Sequence, residues 1–237
     1  MRLVSLGYAL LTLVLMACVG LFLLIYTPQT PLPDALNPTK PLNIADPVTP
    51  LTAFKLRRAL TDGKSCRAAL GTGAQFGALP DLETSPQCGI ADRVTLRQVG
   101  QATMRPVETR CQTALRLAMW HQHGIVPAAT QHFGQGVRQV HHASSYNCRQ
   151  IRTTGGGSGR LSTHATAEAV DISGVTLADG RRVDLINGWG ASDPRGAFFV
   201  DLRDSACMWF RVTLGPDYNA LHADHFHLQH TGWGLCR

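Results

Sequence analysis

A run of 24 residues without a single charge, 3–26, restricts this chain before any other feature does. Leu, Val, Ala and Ile dominate it, and at about 1.5 Å per residue a helix of that length crosses a bilayer core of about 30 Å. Arg2 and the amino terminus precede the run, and the first charge after it is Asp34. The positive-inside rule then leaves the N-terminus in the cytoplasm and exports the rest. Met16-Ala17-Cys18 resembles a lipoprotein cleavage site, and a cleaved leader is the alternative. Because Val19 to Tyr26 continue apolar, the expectation is an uncleaved anchor over residues 1–27. It would hold the chain in the inner (cytoplasmic) membrane through residues 3–26.

Export sets the redox compartment. Apart from Cys18 in the apolar run, Cys66, Cys88, Cys111, Cys148, Cys207 and Cys236 make an even six with no CxxC pair. In an oxidising compartment six such cysteines read as three disulfides.

Between anchor and domain stand Pro28, Pro31, Pro33, Pro38, Pro41, Pro47 and Pro50. Few of these positions can continue a helix or donate to a ladder, so residues 28–50 are expected to be an extended, semi-rigid spacer. The net charge is +6. Arg2 and Lys40 balance Asp34 and Asp46, so the excess belongs to the domain at 51–237. A basic exported domain favours anionic surfaces. Its Lys and Arg residues are scattered, with no basic run interleaved with aromatics, which argues against nucleic acid as a partner.

Within the domain, 52–61 reads as a short helix. Residues 106–122 give the strongest helical pattern, with Pro106 in the first turn, an apolar stripe at Val107, Cys111, Leu115, Ala118 and Met119, and Gly124 as the stop. Two β-rich runs over 170–185 flank Asp179-Gly180 and predict a hairpin. A further helix is expected over 196–212 and a short strand over 225–229. The class is α+β, with a small, mostly antiparallel sheet flanked by helices.

Two histidine-bearing segments carry the chemistry: Ser162-Thr-His164-Ala-Thr-Ala-Glu-Ala-Val-Asp171, and His222-Ala-Asp224-His225-Phe-His227-Leu. On a strand His225 and His227 share one face, while Asp224, Phe226 and Leu228 share the other. His164 and Asp171, seven residues apart, would sit about 10 Å apart along a straight helix, too far to share an ion. A turn between them, with Asp171 opening a strand, brings them together. Two imidazoles and a carboxylate suit zinc and leave it positive enough to activate water. A purely structural or pH-sensing cluster is the competing reading. His121, His123, His132, His141, His142 and His230 are left to structural roles.

Ser162-x-His164, Ala169-x-Asp171 and His225-x-His227 together resemble the signature of the LAS-type zinc peptidases, a group of D-alanyl-D-alanine carboxypeptidases, dipeptidases and murein endopeptidases. Over residues 66–236 the chain resembles more closely the bacterial extensin-like C-terminal domain family. Ser145-Tyr-Asn-Cys-Arg149, Leu214-Gly-Pro, Asn219 and His222-Ala-Asp-His-Phe-His-Leu228 add to the match. The resemblance implies a LAS/hedgehog-like core, with His164, Asp171 and His227 as ligands of Zn2+ and His225 as general base or stabiliser. Asp224 is the alternative acid, three residues before the last ligand, and Arg149 would neutralise an oxyanion or substrate carboxylate. It implies a hydrolase of peptidoglycan peptide bonds, a D-amino-acid endopeptidase or carboxypeptidase; a monomer is expected. A non-catalytic wall-binding module with a structural metal is the alternative. Ala167 stands where many of these peptidases have glycine, and Gln229 where extensin-like domains often have aspartate. Sequential pairing, Cys66–Cys88, Cys111–Cys148 and Cys207–Cys236, is the working expectation among the fifteen pairings six cysteines allow.

Overall fold

Local sequence signals set several element boundaries. Asp62 caps one helix by accepting from the Ser65 amide at 2.8 Å, and Asp193, followed by Pro194, caps the longest helix of the domain through the Arg195 amide at 2.9 Å. The computed structural model describes residues 2–153 and 155–237. Its helices are α1 (Arg2–Tyr26), α2 (Thr52–Ala59), α3 (Gly63–Leu70), α4 (Cys111–Trp120), α5 (Val126–Phe133), α6 (Leu185–Gly188) and α7 (Pro194–Trp209). Its strands are β1 (Ala74–Ala78), β2 (Leu82–Ser85), β3 (Cys88–Ile90), β4 (Arg93–Val99), β5 (Ala102–Arg110), β6 (Val137–His142), β7 (Gln150–Thr153) and β8 (Gly156–Leu161). They continue with β9 (Ala169–Leu177), β10 (Arg182–Asp184), β11 (Val212–Leu214), β12 (Phe226–Gln229) and β13 (Leu235–Cys236).

The architecture is α+β, but the sheet is larger than expected: nine strands in the order β1-β4-β5-β6-β9-β12-β11-β13, with β10 added on β9. Most pairings are antiparallel, while β5 with β6 and β11 with β13 run parallel, so the sheet is mixed. Strand β9 lies at its middle and is buried on both faces except at Ser173, which is half-buried. A Cβ on Gly174 would meet the Val183 carbonyl oxygen at 2.3 Å, so glycine is what lets β10 close on β9. The core beneath the sheet is built from α4 and α7, where Trp120, Phe198 and Phe199 are fully buried: Trp120 meets Phe210 edge-on, Phe198 meets Phe199, and Phe199 meets Phe226 of β12. Burying a side chain of this size stabilises the fold by roughly 2–3 kcal/mol.

The hairpin around Asp179-Gly180 forms as β9 and β10, and the strand at 225–229 forms as β12. The helix expected over 106–122 is corrected. Residues 102–110 form β5, with Ala102, Met104, Val107 and Thr109 buried, and helix α4 begins only at Cys111. Pro106 falls where the β4–β5 register shifts, between the Leu96–Val107 and Gln98–Thr103 partners, a place where a missing N–H interrupts no ladder. Nor does Gly124 stop the helix. The chain continues through a π-helical turn, His121–Ile125, into α5. A Cβ on Gly124 would lie 2.6 Å from Ser205 Oγ, so the glycine permits close approach of α7. The helix expected over 196–212 is α7, which begins earlier and ends at Trp209, leaving Val212 to β11.

Two of the expected disulfides are also corrected. Cys66 pairs with Cys111 and Cys88 with Cys148, while Cys207–Cys236 forms as expected. Helix packing decides this: α3 lies on α4, bringing the Cα atoms of Cys66 and Cys111 to 6.1 Å. The β2–β3 hairpin lies over the loop that carries Cys148, and Thr84 Oγ1 also meets Tyr146 Oη there.

The proline-rich segment is docked along much of its length. Leu42 and Ile44 are buried in the core cluster, the Ile44 amide donates to Thr72 Oγ1 at 2.9 Å, and its carbonyl oxygen lies 2.9 Å from His123 Nε2. Among the described residues, one helical stretch, Leu6–Tyr26, is long and apolar enough to span a membrane.

Candidate metal centre

Strands β9 and β12 pair antiparallel with His227 opposite Asp171, which sets these two side chains side by side on one face. Phe226 and Leu228, on the other face of β12, are buried and fix the strand. His164 arrives from a different element. Ser162 caps a 3-10 turn, Thr163–Thr166, and Ala167 then adopts a left-handed conformation (φ 52°) before β9 begins at Ala169. That turn shortens the seven-residue separation. Thr113 Oγ1 donates to the Ala167 carbonyl at 2.9 Å and holds it.

The three side chains converge. His164 Nε2 lies 3.1 Å from His227 Nδ1 and 3.2 Å from Asp171 Oδ2, and His227 Nδ1 lies 3.1 Å from Asp171 Oδ1. His164 is 2% exposed and Asp171 8%, so the convergence occurs away from bulk water. One ligand atom from each residue falls within 4.8 Å of the other two.

The surrounding hydrogen bonds settle which ring nitrogens carry protons. His164 Nδ1 lies 2.8 Å from the Ser145 carbonyl oxygen, which can only accept, so Nδ1 is protonated and Nε2 presents a lone pair. Gln229 Nε2 donates to the Thr231 carbonyl at 2.9 Å, so Gln229 Oε1 faces the other way. There it accepts from Thr163 Oγ1 at 3.0 Å and meets His227 Nε2 at 3.4 Å. In the neutral ring His227 Nδ1 is thereby also left with a lone pair. Two lone pairs and a carboxylate then point at one another without a proton between them, an arrangement that favours a cation. A regular tetrahedron with zinc–ligand arms of 2.0–2.1 Å has edges of about 3.3 Å, close to the observed triangle. The donor set therefore fits zinc.

The Asp171 carboxyl is held well below the usual carboxylate range. Burial alone would raise it, but in the cluster without a cation a proton on either imidazole beside it, His164 or His227, outweighs that. It is an anion at every ordinary pH.

At the rim, His225 Nε2 stands 3.6 Å from Asp171 Oδ1, and His225 Nδ1 stands 2.7 Å from Asp224 Oδ1. Asp224 is exposed and makes no contact with the three central residues among the described residues. Arg149 makes no bond to the three central residues among the described residues: its guanidinium donates to the Gln150 carbonyl, while its own carbonyl accepts from the Ser162 amide that precedes the His164 turn. Three contributors were given no role from sequence. The His222 ring lies tilted against His225 and edge-on to His227, with centroids at 5.3 and 5.8 Å, and is tied to Asn219 Oδ1 at 2.8 Å. Burial first, then His225 and His227, push its pKa down to about 4. Gln229 and Ser145 orient the two ligand rings. The i, i+3 spacing of His222 and His225 is visible in sequence, whereas a backbone carbonyl such as that of Ser145 leaves no trace there. Outside the cluster, His121, buried, has neither ring nitrogen partnered among the described residues. His123, His132, His141, His142 and His230 instead bond to a carbonyl, carboxylate or hydroxyl in the fold.

The model of the family described as extensin-like protein C-terminus matches residues 64–237 of the chain. No curated protein and no solved structure matches it significantly.

Proposed function

The chain belongs to the extensin-like C-terminal family, and from that premise and the geometry above we propose a membrane-tethered zinc hydrolase of peptidoglycan peptide bonds. The observation that carries this reading is the convergence of three proton-free ligand atoms, from His164, Asp171 and His227, beside a fourth group able to move a proton. The resemblance of the motif pair to LAS-type peptidases supports the substrate class, a D-amino-acid peptide bond. When bound, zinc supplies Lewis acidity that brings the pKa of a hydrolytic water toward about 7.

The chain's own residues do the rest. With Nδ1–H directed to Asp224, the Nε2 of His225 is the free base on the cluster side, and it takes the proton of the attacking water and returns one to the leaving amine. Asp224 holds that ring in the required tautomer. Asp171 contributes the one negative charge among the three donors, set beside both ligand rings. In this reading Arg149 reaches an oxyanion only by leaving Gln150, so its part is in substrate binding. Arg2 before the apolar helix, and three disulfides after it, support a cytoplasmic-membrane anchor with the domain outside.

The test uses the full chain in detergent. Zinc-loaded wild type releases peptides from isolated peptidoglycan, His164→Ala loses both zinc and release, and His225→Ala keeps zinc while kcat falls about 10²–10⁴-fold. Absence of release by zinc-loaded wild type, with wall binding intact, would establish the second reading, a wall-binding module with structural zinc. The bond of the Arg149 guanidinium to the Gln150 carbonyl, and to none of the three ligands among the described residues, is the observation that favours that alternative.

A further inference from the structure

A cleft of about 540 Å³ that shares no residue with the histidine cluster lies between α2, α4, the end of α7 and β13. Arg57, Arg116 and Arg211 line it, together with Leu56, Phe210 and Leu235, and no carboxylate lines it. None of the three arginines makes an ion pair among the described residues. Arg116 is the most enclosed: its guanidinium donates to the Trp209 carbonyl, and its Nε is buried without a partner. Burial, and then the charge of Arg211 beside it, push its pKa down to about 10. Drawing two guanidinium groups together in a partly dry cleft is unfavourable unless something negative enters. The Cys207–Cys236 bridge lines the same cleft, so its wall is covalently fixed.

We propose that this cleft is a phosphate-binding site, in which Arg57, Arg116 and Arg211 hold a phosphate mono- or diester. A planar guanidinium fork matches phosphate oxygens in pairs, and three of them match a group carrying one to two charges. The apolar wall, extended by Met208 at 70% exposure, accepts the organic part of an ester. Two sources share this chemistry: a free phosphate compound and a lipid headgroup. Position makes the second reachable. Helix α2 is tied through Lys55 Nζ to the Asp34 carbonyl, and Asn37 Nδ2 donates to the Ile25 carbonyl at 3.0 Å. Helix α2, which carries Arg57, is thus tied to the segment that leaves α1.

The test takes the full chain in dodecyl maltoside micelles, which contain no phosphate, and titrates inorganic phosphate against sodium chloride at constant ionic strength. The thermal midpoint of wild type should rise with phosphate. Arg57→Gln and Arg211→Gln, both at exposed positions that need not disturb folding, should each weaken the apparent affinity about tenfold to a hundredfold, the loss for one charge-assisted bond. Arg211→Gln should also raise the midpoint without phosphate, because the repulsion on Arg116 is relieved. In phosphatidylglycerol nanodiscs a headgroup ligand gives wild type a higher midpoint than the double variant Arg57→Gln with Arg211→Gln and abolishes the response to added phosphate. A free ligand leaves that response in place. The site is refuted if wild type ignores phosphate in micelles and matches the double variant in nanodiscs. A double variant that keeps the wild-type phosphate response refutes it equally.

Discussion

Gln229 Oε1 lies 3.4 Å from His227 Nε2, and that contact decides which face of the His227 ring is free to bind a cation. The amide is locked by the Thr231 carbonyl on one side and Thr163 on the other. Replacing it with leucine keeps the volume but frees the ring to rotate or to take the other tautomer. Gln229→Leu should therefore weaken zinc binding about 10–100-fold, the usual cost of losing an outer partner of a ligand ring, with the fold intact. Competition with a chromophoric chelator measures this, and an unchanged affinity would show that the ring is oriented by something else.

The geometry of the candidate site is legible where residues close in sequence impose it. Seven residues from His164 to Asp171 demanded a turn, and the turn is present as a 3-10 segment closed by left-handed Ala167. Strand alternation placed His225 and His227 together because Phe226 and Leu228 need the core. The supports came from elsewhere: the Ser145 carbonyl is brought in by a loop, and the partners of Gln229 depend on the β9–β12 register. The same limit explains the disulfides, since the pairing of Cys66 with Cys111 follows from α3 packing on α4, which no local pattern encodes. Residues 102–110 misled because an apolar stripe at Val107 and Cys111 suits a helix, while Ala102, Met104 and Val107 also suit a strand with a register shift at Pro106.

His121 makes the fold sensitive to acid. It is 2% exposed, and burial pushes its pKa down to about 4 from 6.5. The folded state thus binds its proton less readily than the unfolded chain. Its contribution to stability is complete above about pH 6.5 and is lost as pH falls toward about 4, with a slope near 1.4 kcal/mol per pH unit for one proton. His121→Leu should flatten that part of the profile. Urea unfolding of both proteins between pH 7 and pH 4.5 tests it, and parallel profiles would assign the acid sensitivity to His222 and His230 instead.

The Cys88–Cys148 bridge, closing a separation of 60 residues, ties the β2–β3 hairpin to the segment that carries Arg149. Its removal by Cys88→Ser with Cys148→Ser should cost about 2–4 kcal/mol of stability, with the Cys66–Cys111 bridge still formed. Peptide mapping without reduction checks the connectivity first. Fragments linking Cys66 to Cys88 would contradict the fold around α3 and α4.

Ile44 shows that the proline-rich segment belongs to the domain energetically. Its side chain is 2% exposed and packs on Gly73, while its amide and carbonyl are bonded to Thr72 and His123. A fragment beginning at residue 51 loses Leu42 and Ile44 from the core together with both bonds, leaving His123 without its acceptor. It should be less stable than a fragment beginning at residue 28 by at least the 2–5 kcal/mol that a large-to-small core change costs, and Ile44→Ala in the longer fragment should by itself reproduce most of that loss. Chemical denaturation of the three proteins measures it. Equal stabilities would mean that the segment merely rests on the surface and acts as a spacer over its whole length.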